Sequence, residues 1–254
     1  MRGLTAQRPN YGNWVSARLL YIPIAMSILL AGLSLLLPVL AVLAVIPFLC
    51  FAYFAYARHR FSAKGGNIQA KIQALVLDYF EWDGEGKAID IGCGNGPLTI
   101  GIAKKYPDAQ VTGIDYWGES WEYSKGVCER NAEIEGVRGK IVFQKASASS
   151  LPFADACFDA AISNLTFHEV REVKDKRLLI KEALRVVRKG GSFAFQDLFL
   201  WKRVYGELED LVDTVRGWGI ERVEFINTSD CEFIPKALKL PFMVGTIGIL
   251  RGRK

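Results

Sequence analysis

The sequence predicts an α/β protein, with a doubly wound, mostly parallel sheet preceded by an α-helical transmembrane hairpin. Three observations support this fold class. Residues 19–57 form a run without any charged side chain. After residue 60, short apolar runs alternate with amphipathic stretches, which is typical of strands alternating with helices. A glycine-rich turn, "DIGCGNG" at residues 90–96, follows the first of these apolar runs.

The uncharged N-terminal run is too long for one membrane span. As a straight helix, its 39 residues would extend about 58 Å, nearly twice the roughly 30 Å of a bilayer core. Pro38 lies at its midpoint. We therefore expect residues 1–60 to be a membrane-anchoring segment with two apolar legs, residues 19–37 and 39–57.

The charges around this run predict its orientation. Arginines flank both ends, so the positive-inside rule places both ends, and the domain that follows, on the cytoplasmic side. Three alternatives stay open: a re-entrant segment, a buried hairpin of a soluble protein, and a signal peptide ending at "AYA" (residues 55–57). The run is far longer than the apolar region of a signal peptide, which disfavours the last.

Charge and cysteine content exclude several classes of function. Residues 1–60 hold five of the 32 basic residues and no acidic one, which leaves 27 basic and 27 acidic residues for the remainder. This formally neutral remainder argues against a nucleic-acid substrate. The five cysteines are scattered without a CxxC pair, so we expect reduced thiols and neither a disulfide framework nor a metal site. The sequence does not identify a protein partner.

After a linker and first helix at residues 61–86, residues 87–254 carry the strand and helix pattern of one domain. We expect strands at residues 88–91, 110–114, 140–144, 158–163 and 192–196, with two more in "IERVEFI" (220–226) and "VGTIGIL" (244–250). Helix-like stretches cover residues 98–106, 119–135 and 172–188. In such sheets a ligand binds at the carboxyl ends of the strands. The glycine-rich turn falls at that edge.

The spacing within the turn indicates which ligand it holds. Its G-x-G-x-G pattern places Pro97 where a dinucleotide-binding turn has its third glycine, which disfavours a nicotinamide-dependent oxidoreductase. Asp90, just before the turn, would repel a pyrophosphate but suits an ammonium group. Asp115 closes the second strand, where an acid accepts hydrogen bonds from ribose hydroxyls. S-adenosylmethionine meets these requirements.

Four stretches, in this order, carry a resemblance to a known family: "AIDIGCGNG", "VTGIDYW", "LPFADACFDAAISNLTFHEV" and "EALRVVRKGGSFAFQD". Together they cover most of residues 87–197. The chain resembles the class I S-adenosylmethionine-dependent methyltransferases of the small-molecule type. The resemblance implies a Rossmann-like, seven-stranded sheet whose last strand is antiparallel.

The resemblance also implies roles for individual residues. The side chain of Asp90 and the backbone of the turn should face the methionine part of the cofactor; the turn residues are Gly92, Cys93, Gly94, Asn95 and Gly96. Asp115 should bind the ribose, with Tyr116 and Trp117 beside the adenine, and Asn164 should lie near the sulfonium. Relatives often have an acid for the adenine amino group where this chain has Ser147. Adenine recognition should therefore use the Ser147 hydroxyl or the Ala148 backbone.

Methyl transfer to a hydroxyl needs a general base, and His168 in "NLTFHEV" is the candidate. A structural histidine is the equally weighted alternative, and Glu169 and Asp197 are weaker candidates for the base. Residues 198–215 are either a substrate lid or an amphipathic helix packed on the sheet. Residues 61–69 are interpreted as a simple linker, with a flexible flap as the alternative.

The sequence thus predicts a membrane-anchored methyltransferase that acts on a small, lipophilic acceptor. The hairpin would keep the catalytic domain where such an acceptor concentrates. A non-catalytic sensor or scaffold that binds S-adenosylmethionine in a membrane complex is the alternative. Which atom of the acceptor is methylated stays open.

Overall fold

The computed structural model describes residues 8–118 and 122–254, which form two compact units. The smaller unit is Gly12–Ile72. The larger unit combines Met1–Tyr11, described from residue 8, with Gln73–Lys254.

Two apolar helices make up most of the smaller unit. Helix α1 is Arg18–Leu33 and helix α2 is Val39–Phe61. The first leg therefore ends before its predicted end at residue 37, and the second continues beyond residue 57. Pro38 occupies the N-cap of α2, where its missing N–H is not needed by the helix. The two helices contact each other, and the Ser27 hydroxyl donates to the Ala44 carbonyl at 3.0 Å.

The outer surface of this helical hairpin is apolar. Its tip exposes Leu35 and Leu36 at 89% and 80%, and leucine, isoleucine and valine side chains are exposed along both helices. Among the described residues, α2 is the one helix long and apolar enough to cross a membrane. Its 23 residues extend about 35 Å, whereas the 16 residues of α1 extend about 24 Å.

The segment after α2 is a short hydrogen-bonded turn that leads into the next helix. The backbone N–H groups of Gly65 and Asn67 both donate to the Ser62 carbonyl at 3.0 Å. A side chain on Gly65 would overlap the His59 backbone. Helix α3, Ile68–Asp78, begins directly after this turn.

Seven strands form one sheet in the larger unit. In chain order they are β1 (Lys87–Ile91), β2 (Gln110–Asp115), β3 (Ile141–Lys145), β4 (Phe158–Asn164), β5 (Val187–Asp197), β6 (Arg222–Asn227) and β7 (Gly248–Arg253). Their spatial order is β3-β2-β1-β4-β5-β7-β6, and β7 runs antiparallel to both neighbours. This confirms the predicted seven-stranded sheet with an antiparallel last strand. From β1 the strand order proceeds outward on one side to β2 and β3 and on the other side to β4 and β5. In such sheets a ligand binds at the carboxyl ends of the strands where the order changes, which here is beside β1.

Helices cover both faces of the sheet. They are α4 (Pro97–Lys105), α5 (Lys125–Ile134), α6 (Arg177–Arg185), α7 (Lys202–Tyr205) and α8 (Leu208–Arg216). Because successive strand residues point to opposite faces, Ile89 and Ile91 pack with α6 and α8, while Ala88 packs with α4 and α5.

Two predicted helices are shorter than expected. The predicted start of α5 at Glu119 lies outside the described residues, and residues 122–124 are not helical. The Ser124 hydroxyl instead caps α5 by accepting from the Val127 N–H at 3.3 Å. Residues 172–176 lie outside α6, and β5 begins at Val187, one residue before the predicted helix end.

Residues 198–215 pack on the sheet and do not form a lid. Phe199 and Tyr205 are buried, with their rings in edge contact at 4.9 Å between centroids. Leu211 and Val215 of α8 are fully buried in the same core. The second of the two predicted alternatives, an amphipathic helix on the sheet, is therefore confirmed.

Candidate active site

The turn between β1 and α4 lies at the carboxyl edge of the sheet and requires its glycines. Gly92, Gly94 and Gly96 have φ values of 75°, 56° and 82°, a region that other residues adopt at a cost. The N–H groups of Gly92 and Cys93 both donate to the Ile114 carbonyl of β2, at 2.8 and 2.9 Å. The turn is thus held against β2, with its backbone open to a ligand.

Asp115 joins the end of β2 to this turn. One carboxylate oxygen accepts from the Gly94 N–H at 2.9 Å and the other from the Trp117 N–H at 2.8 Å. Burial raises the pKa of Asp115, and these backbone hydrogen bonds act in the opposite direction. Each oxygen keeps a second lone pair, so the carboxylate can still accept two further donors.

The two aromatic residues after Asp115 lie in different environments. The Trp117 indole donates to the Gly94 carbonyl at 2.9 Å, which fixes its ring against the turn. Tyr116 is 61% exposed, and the Lys145 ammonium lies 5.2 Å from its ring centroid. Tyr116 therefore offers a free ring face at the rim, whereas Trp117 contributes to the shape of the turn.

Asp90 is buried on the sheet side of the turn. Its carboxylate accepts from the Thr99 hydroxyl of α4 at 2.6 Å. Burial raises the pKa of Asp90 to about 7; the Thr99 hydrogen bonds oppose this, and the charge of Asp115 adds to it. Described residues place no cation against either carboxylate, so a positively charged ligand group would be stabilised beside them.

Residues before the hairpin also reach the turn. The Asn10 carbonyl accepts from the side-chain amides of Asn95, at 3.2 Å, and Asn131, at 2.9 Å. The Asn10 N–H donates to the Asn131 carboxamide oxygen at 2.8 Å, and Asn131 also donates to the Asn95 carbonyl at 3.0 Å. These three residues form an asparagine clamp on the turn, so deleting residues 1–60 would remove one of its members.

Two buried cysteines, Cys93 in the turn and Cys128 in α5, pack at the buried side of the turn. The buried Cys128 thiol donates to the Gly94 carbonyl at 3.0 Å. Burial raises the pKa of the neighbouring Cys93 well above its ordinary value, and the hydrogen bond with Cys128 adds to the effect. The raised pKa keeps Cys93 protonated, and both residues contribute to the packing of the turn.

The remaining predicted cofactor residues lie at the ends of β3 and β4. Asn164 is the last residue of β4, and its carboxamide oxygen is buried without a partner among the described residues. The Ser147 hydroxyl is 2.8 Å from that of Ser149 and accepts from the Ser149 N–H at 3.2 Å. Ser147 is thus engaged in its own turn, and Ala148 beside it is buried.

His168 lies between two carboxylates on the other side of the same edge. Its Nδ1 is 2.7 Å from Asp197, at the end of β5, and its Nε2 is 3.4 Å from Glu169. Burial lowers the pKa of His168, but Asp197 and Glu169 outweigh burial and raise it to about 10. In this arrangement the ring is doubly protonated, with both nitrogens facing carboxylates.

Asp197 is held independently of the histidine. It is buried and accepts from the N–H groups of Phe167, at 2.9 Å, and Leu198, at 2.7 Å. Burial alone would raise the pKa of Asp197, but the His168 charge and these hydrogen bonds lower it. The hydroxyl of Tyr205 is buried without a hydrogen-bond partner among the described residues, and its pKa is raised by burial and by the Asp197 charge.

Sequence reasoning missed several residues of the site. Thr99 and Thr166 contact the turn from α4 and from the loop after β4; Thr166 donates to the Ile91 carbonyl at 3.2 Å. The position of Thr99, in the first turn of the helix that follows the glycines, was an available signal. Asn10 and Asn131 carried none, because 121 positions separate them.

These residues fit S-adenosylmethionine. The glycines leave backbone open beside Asp90, whose burial and raised pKa favour a cationic neighbour. Asp115 has free lone pairs for ribose hydroxyls, and the unpartnered oxygen of Asn164 lies at the edge of the adjacent strand β4.

Comparisons with known proteins agree with this fit. Residues 89–195 match a family model described as a methyltransferase domain. O-methyltransferase rstn1 of Aspergillus nomiae is 33% identical over 114 residues, 45% of this chain and 47% of that protein. Ajmaline N-methyltransferase of Rauvolfia serpentina is 32% identical over 123 residues, 47% of this chain and 40% of that protein.

Among solved structures, phosphoethanolamine N-methyltransferase 2 of Haemonchus contortus, in complex with S-adenosyl-L-methionine, has the same fold. The TM-score is 0.55 at 16% identity, covering 80% of this chain and 56% of that one. Fold, site and comparisons together support an S-adenosylmethionine-dependent methyltransferase domain, whose family match covers residues 89–195. The chain spans less than half the length of the two curated relatives.

Proposed function

We propose that this protein transfers a methyl group from S-adenosylmethionine to a small, lipophilic acceptor at a membrane. The observation that carries the proposal is the pair of acids, the buried Asp90 and the partly buried Asp115, at the carboxyl ends of neighbouring strands beside an open glycine turn. This arrangement suits a ligand with a cationic group at one end and hydroxyls at the other.

Each residue of the site has a proposed task. Asp90 and the backbone of residues 92–96 hold the amino-acid portion, and Asp115 accepts from the ribose. Tyr116 and Trp117 flank the adenine. The Ser147–Ala148 turn contacts its edge through the Ala148 backbone, since the Ser147 hydroxyl is already engaged with Ser149. Asn164 lies beside the methyl-bearing end.

When bound, S-adenosylmethionine supplies an electrophilic methyl group on a cationic sulfur. The chain's contribution is alignment: Asp90, Asp115 and Asn164 fix one reactant so that the other can approach in line. His168 is proposed to take the proton of a hydroxyl acceptor at Nε2. It can do so only as a neutral ring that has lost its 3.4 Å contact with Glu169.

The helical hairpin is proposed to anchor the protein with two spans and the larger unit in the cytoplasm. Its exposed apolar surface and the length of α2 support insertion in a bilayer. Arg58 and Arg60 lie in the last turn of α2 and Lys64 follows it, without an acid between them, which supports a cytoplasmic end. Such an anchor would concentrate the domain next to lipophilic acceptors.

The test is calorimetric titration of the detergent-solubilised full chain with S-adenosylmethionine, S-adenosylhomocysteine and NADH. The first two should bind and NADH should not. Asp115→Ala should weaken both by about 10- to 100-fold, because hydrogen bonds to a charged acceptor contribute about 1.5–3 kcal/mol. The exposed Asp108→Ala is the matched control and should bind like the wild type. Binding of NADH alone would overturn the proposal, and cofactor binding without methyl transfer would indicate a sensor or scaffold.

A further inference from the structure

We infer that Gln196, positioned by Thr228, forms an acceptor-binding subsite that recognises an N–H or O–H donor. This inference rests on the proposed function and narrows its substrate class to hydroxyl- or amine-bearing acceptors. It concerns the part of the sheet edge that the cofactor residues leave unused.

The register of the sheet places Gln196 next to the cofactor residues. Asp90 pairs with Ile162 of β4, and Asn164, two residues further along β4, pairs with Gln196 of β5. Residues two apart on a strand, and partners across strands, share a face of the sheet. The side chains of Asp90, Asn164 and Gln196 therefore leave the same face at successive strands.

The proposed cofactor residues follow the spatial order of the strands along this edge. Asp115 on β2 is proposed to hold the ribose, Asp90 on β1 the amino acid, and Asn164 on β4 the methyl-bearing end. The next strand, β5, ends in Gln196 on this face. A nucleophile approaching the methyl group from beyond Asn164 would thus meet Gln196.

Gln196 is also an unsatisfied buried group. It is fully buried, and its amide nitrogen donates to the Thr228 hydroxyl at 3.1 Å. Its carbonyl oxygen has no hydrogen-bond partner among the described residues, nor has the carbonyl oxygen of Asn164 on the adjacent strand. A buried acceptor without a donor destabilises the protein by about 1–3 kcal/mol, which a function can explain.

The chemistry of the pair defines the ligand. Two neighbouring carbonyl oxygens can only accept, so they select a group with an N–H or O–H. An amide is not a base at neutral pH, so Gln196 orients the nucleophile without taking its proton. Asp197, the partner of His168, is the next residue of β5 and its side chain leaves the opposite face of the sheet, so Gln196 and the His168–Asp197 pair lie on different sides of the edge.

The test uses two probes that differ only in the donor, 1-naphthol and 1-methoxynaphthalene. Full-length protein in detergent is first saturated with S-adenosylhomocysteine, and the affinity of each probe is then measured. Wild type should prefer 1-naphthol by about 3- to 10-fold, the value of one neutral hydrogen bond. Gln196→Met, which keeps the size but removes both polar atoms, should bring the ratio of the two affinities close to one.

The chain offers a matched control in Gln69. This glutamine is also buried, at 5% exposure, but its carbonyl oxygen already accepts from the Trp14 N–H at 3.0 Å. Gln69→Met should keep the wild-type preference for 1-naphthol. Because detergent partitioning is common to all three proteins, it cancels when their affinity ratios are compared.

Thermal unfolding without ligand gives a second, independent readout. Gln196→Met removes an unsatisfied oxygen together with the hydrogen bond to Thr228, so it should unfold close to the wild-type temperature, whereas Gln69→Met should unfold lower. A preference for 1-naphthol that is absent in wild type or survives Gln196→Met would overturn the inference. So would a Gln196→Met variant destabilised as much as Gln69→Met. Failure of S-adenosylhomocysteine to bind would instead count against the proposed function.

Discussion

At the residue scale, three buried carboxylates of the site have pKa values shifted in different directions. Burial raises the pKa of Asp90 and Asp115, and hydrogen-bond donors only partly oppose it. Asp197 is equally buried, but its pKa is lowered because His168 lies beside it. The cation that stabilises Asp197 is part of the chain. For Asp90 and Asp115 we expect the ligand to supply the positive charge.

The pH dependence of cofactor binding should report on Asp90. With a pKa of about 7, its carboxyl is mostly protonated at pH 6 and mostly ionised at pH 8. A ligand ammonium group favours the ionised form, so S-adenosylhomocysteine should bind about tenfold more tightly at pH 8 than at pH 6. Adenosine lacks the amino-acid portion and should show no such change.

Asp90→Asn is the matching variant. It should abolish the pH dependence for S-adenosylhomocysteine and leave adenosine binding as it was. A pKa raised above that of the unfolded chain means that the stability from Asp90 is present below about pH 4 and lost as pH rises through about 7. Asp90→Asn should therefore unfold at a higher temperature than wild type at pH 8. A pH dependence that survives the substitution would contradict this placement of the ammonium group.

The His168–Asp197 pair should stabilise the fold in a defined pH window. Because the pKa of His168 is raised above 6.5, its contribution is fully present below that value and is lost as pH rises through about 10. The wild type should therefore lose unfolding temperature between pH 7 and pH 10. His168→Gln should lose less, since it has no proton to release.

The rate of methyl transfer provides a second test of His168. If His168 is the base, His168→Ala should slow methyl transfer to a hydroxyl acceptor without changing S-adenosylhomocysteine affinity. Wild-type rate should then rise with pH, as the ring becomes neutral. Unchanged turnover in His168→Ala, together with lower stability, would assign the histidine a purely structural role.

At the element scale, the β1–α4 turn is shaped by what packs around it. Thr166 lies against Gly92, Cys128 and Trp117 bond to Gly94, and the asparagine clamp fixes Asn95. These contacts come from β2, β4, α5 and the N-terminal residues. The turn is therefore held in shape before the cofactor arrives, which lowers the entropic cost of binding.

Gly92→Ala should be severe. Its φ of 75° is unfavourable for alanine by about 1–2 kcal/mol, and the new methyl group would overlap Thr166. We expect a lower unfolding temperature and a large loss of S-adenosylhomocysteine affinity, measured by thermal denaturation and calorimetry. Gly126→Ala in α5 is the control, since its methyl group meets nothing within 4 Å and alanine favours a helix.

The double variant Gly92→Ala with Thr166→Ala separates the two causes. Thr166→Ala removes the two closest atoms and should restore part of the stability, with the backbone strain and the remaining Cβ contact left over. If Gly92→Ala alone behaves like Gly126→Ala, the turn is not constrained as the structure indicates.

At the scale of the whole molecule, the two units differ in net charge. Gly12–Ile72 holds five basic residues and no acidic one, while the larger unit, with 27 basic and 27 acidic residues, is formally neutral. Together with the exposed apolar helices, this asymmetry is typical of a segment that meets a bilayer with cytoplasmic lipid charge.

Vesicle flotation tests the anchor. The full chain should float with phospholipid vesicles. Ile28→Asp and Leu49→Asp place charges on exposed positions near the middle of α1 and α2 and should reduce flotation strongly, at about 3 kcal/mol each in a bilayer centre. Phe242→Asp, at an exposed apolar position of the larger unit, is the control. Equal flotation of all variants would mean that the helices do not enter the hydrocarbon.

Local sequence predicted the parts of the fold that depend on neighbouring residues. Strands β1 and β2 lie within one residue of their expected ends, because alternation and the glycines that follow are local signals. The contact between Asp115 and the glycine turn was also predictable, because the carboxyl ends of the parallel strands β1 and β2 lie at the same edge of the sheet. The ends of the helices were harder to predict: α1 stopped four residues before its expected end, at Leu33, where Gly32 is the one local signal.

By itself, the sequence determined the class of sheet, the cofactor turn and the apolar character of the N-terminal helices, because these follow from periodicity and from residue types close together in the chain. Only the tertiary structure decided that Asn10 clamps the turn, that Phe199 and Tyr205 are core residues, and that the Gln196 oxygen finds no donor within residues 8–118 and 122–254. Such facts depend on which side chains meet after folding. Pairing and burial of polar groups are set by contacts between residues far apart in the chain, and no local pattern encodes them.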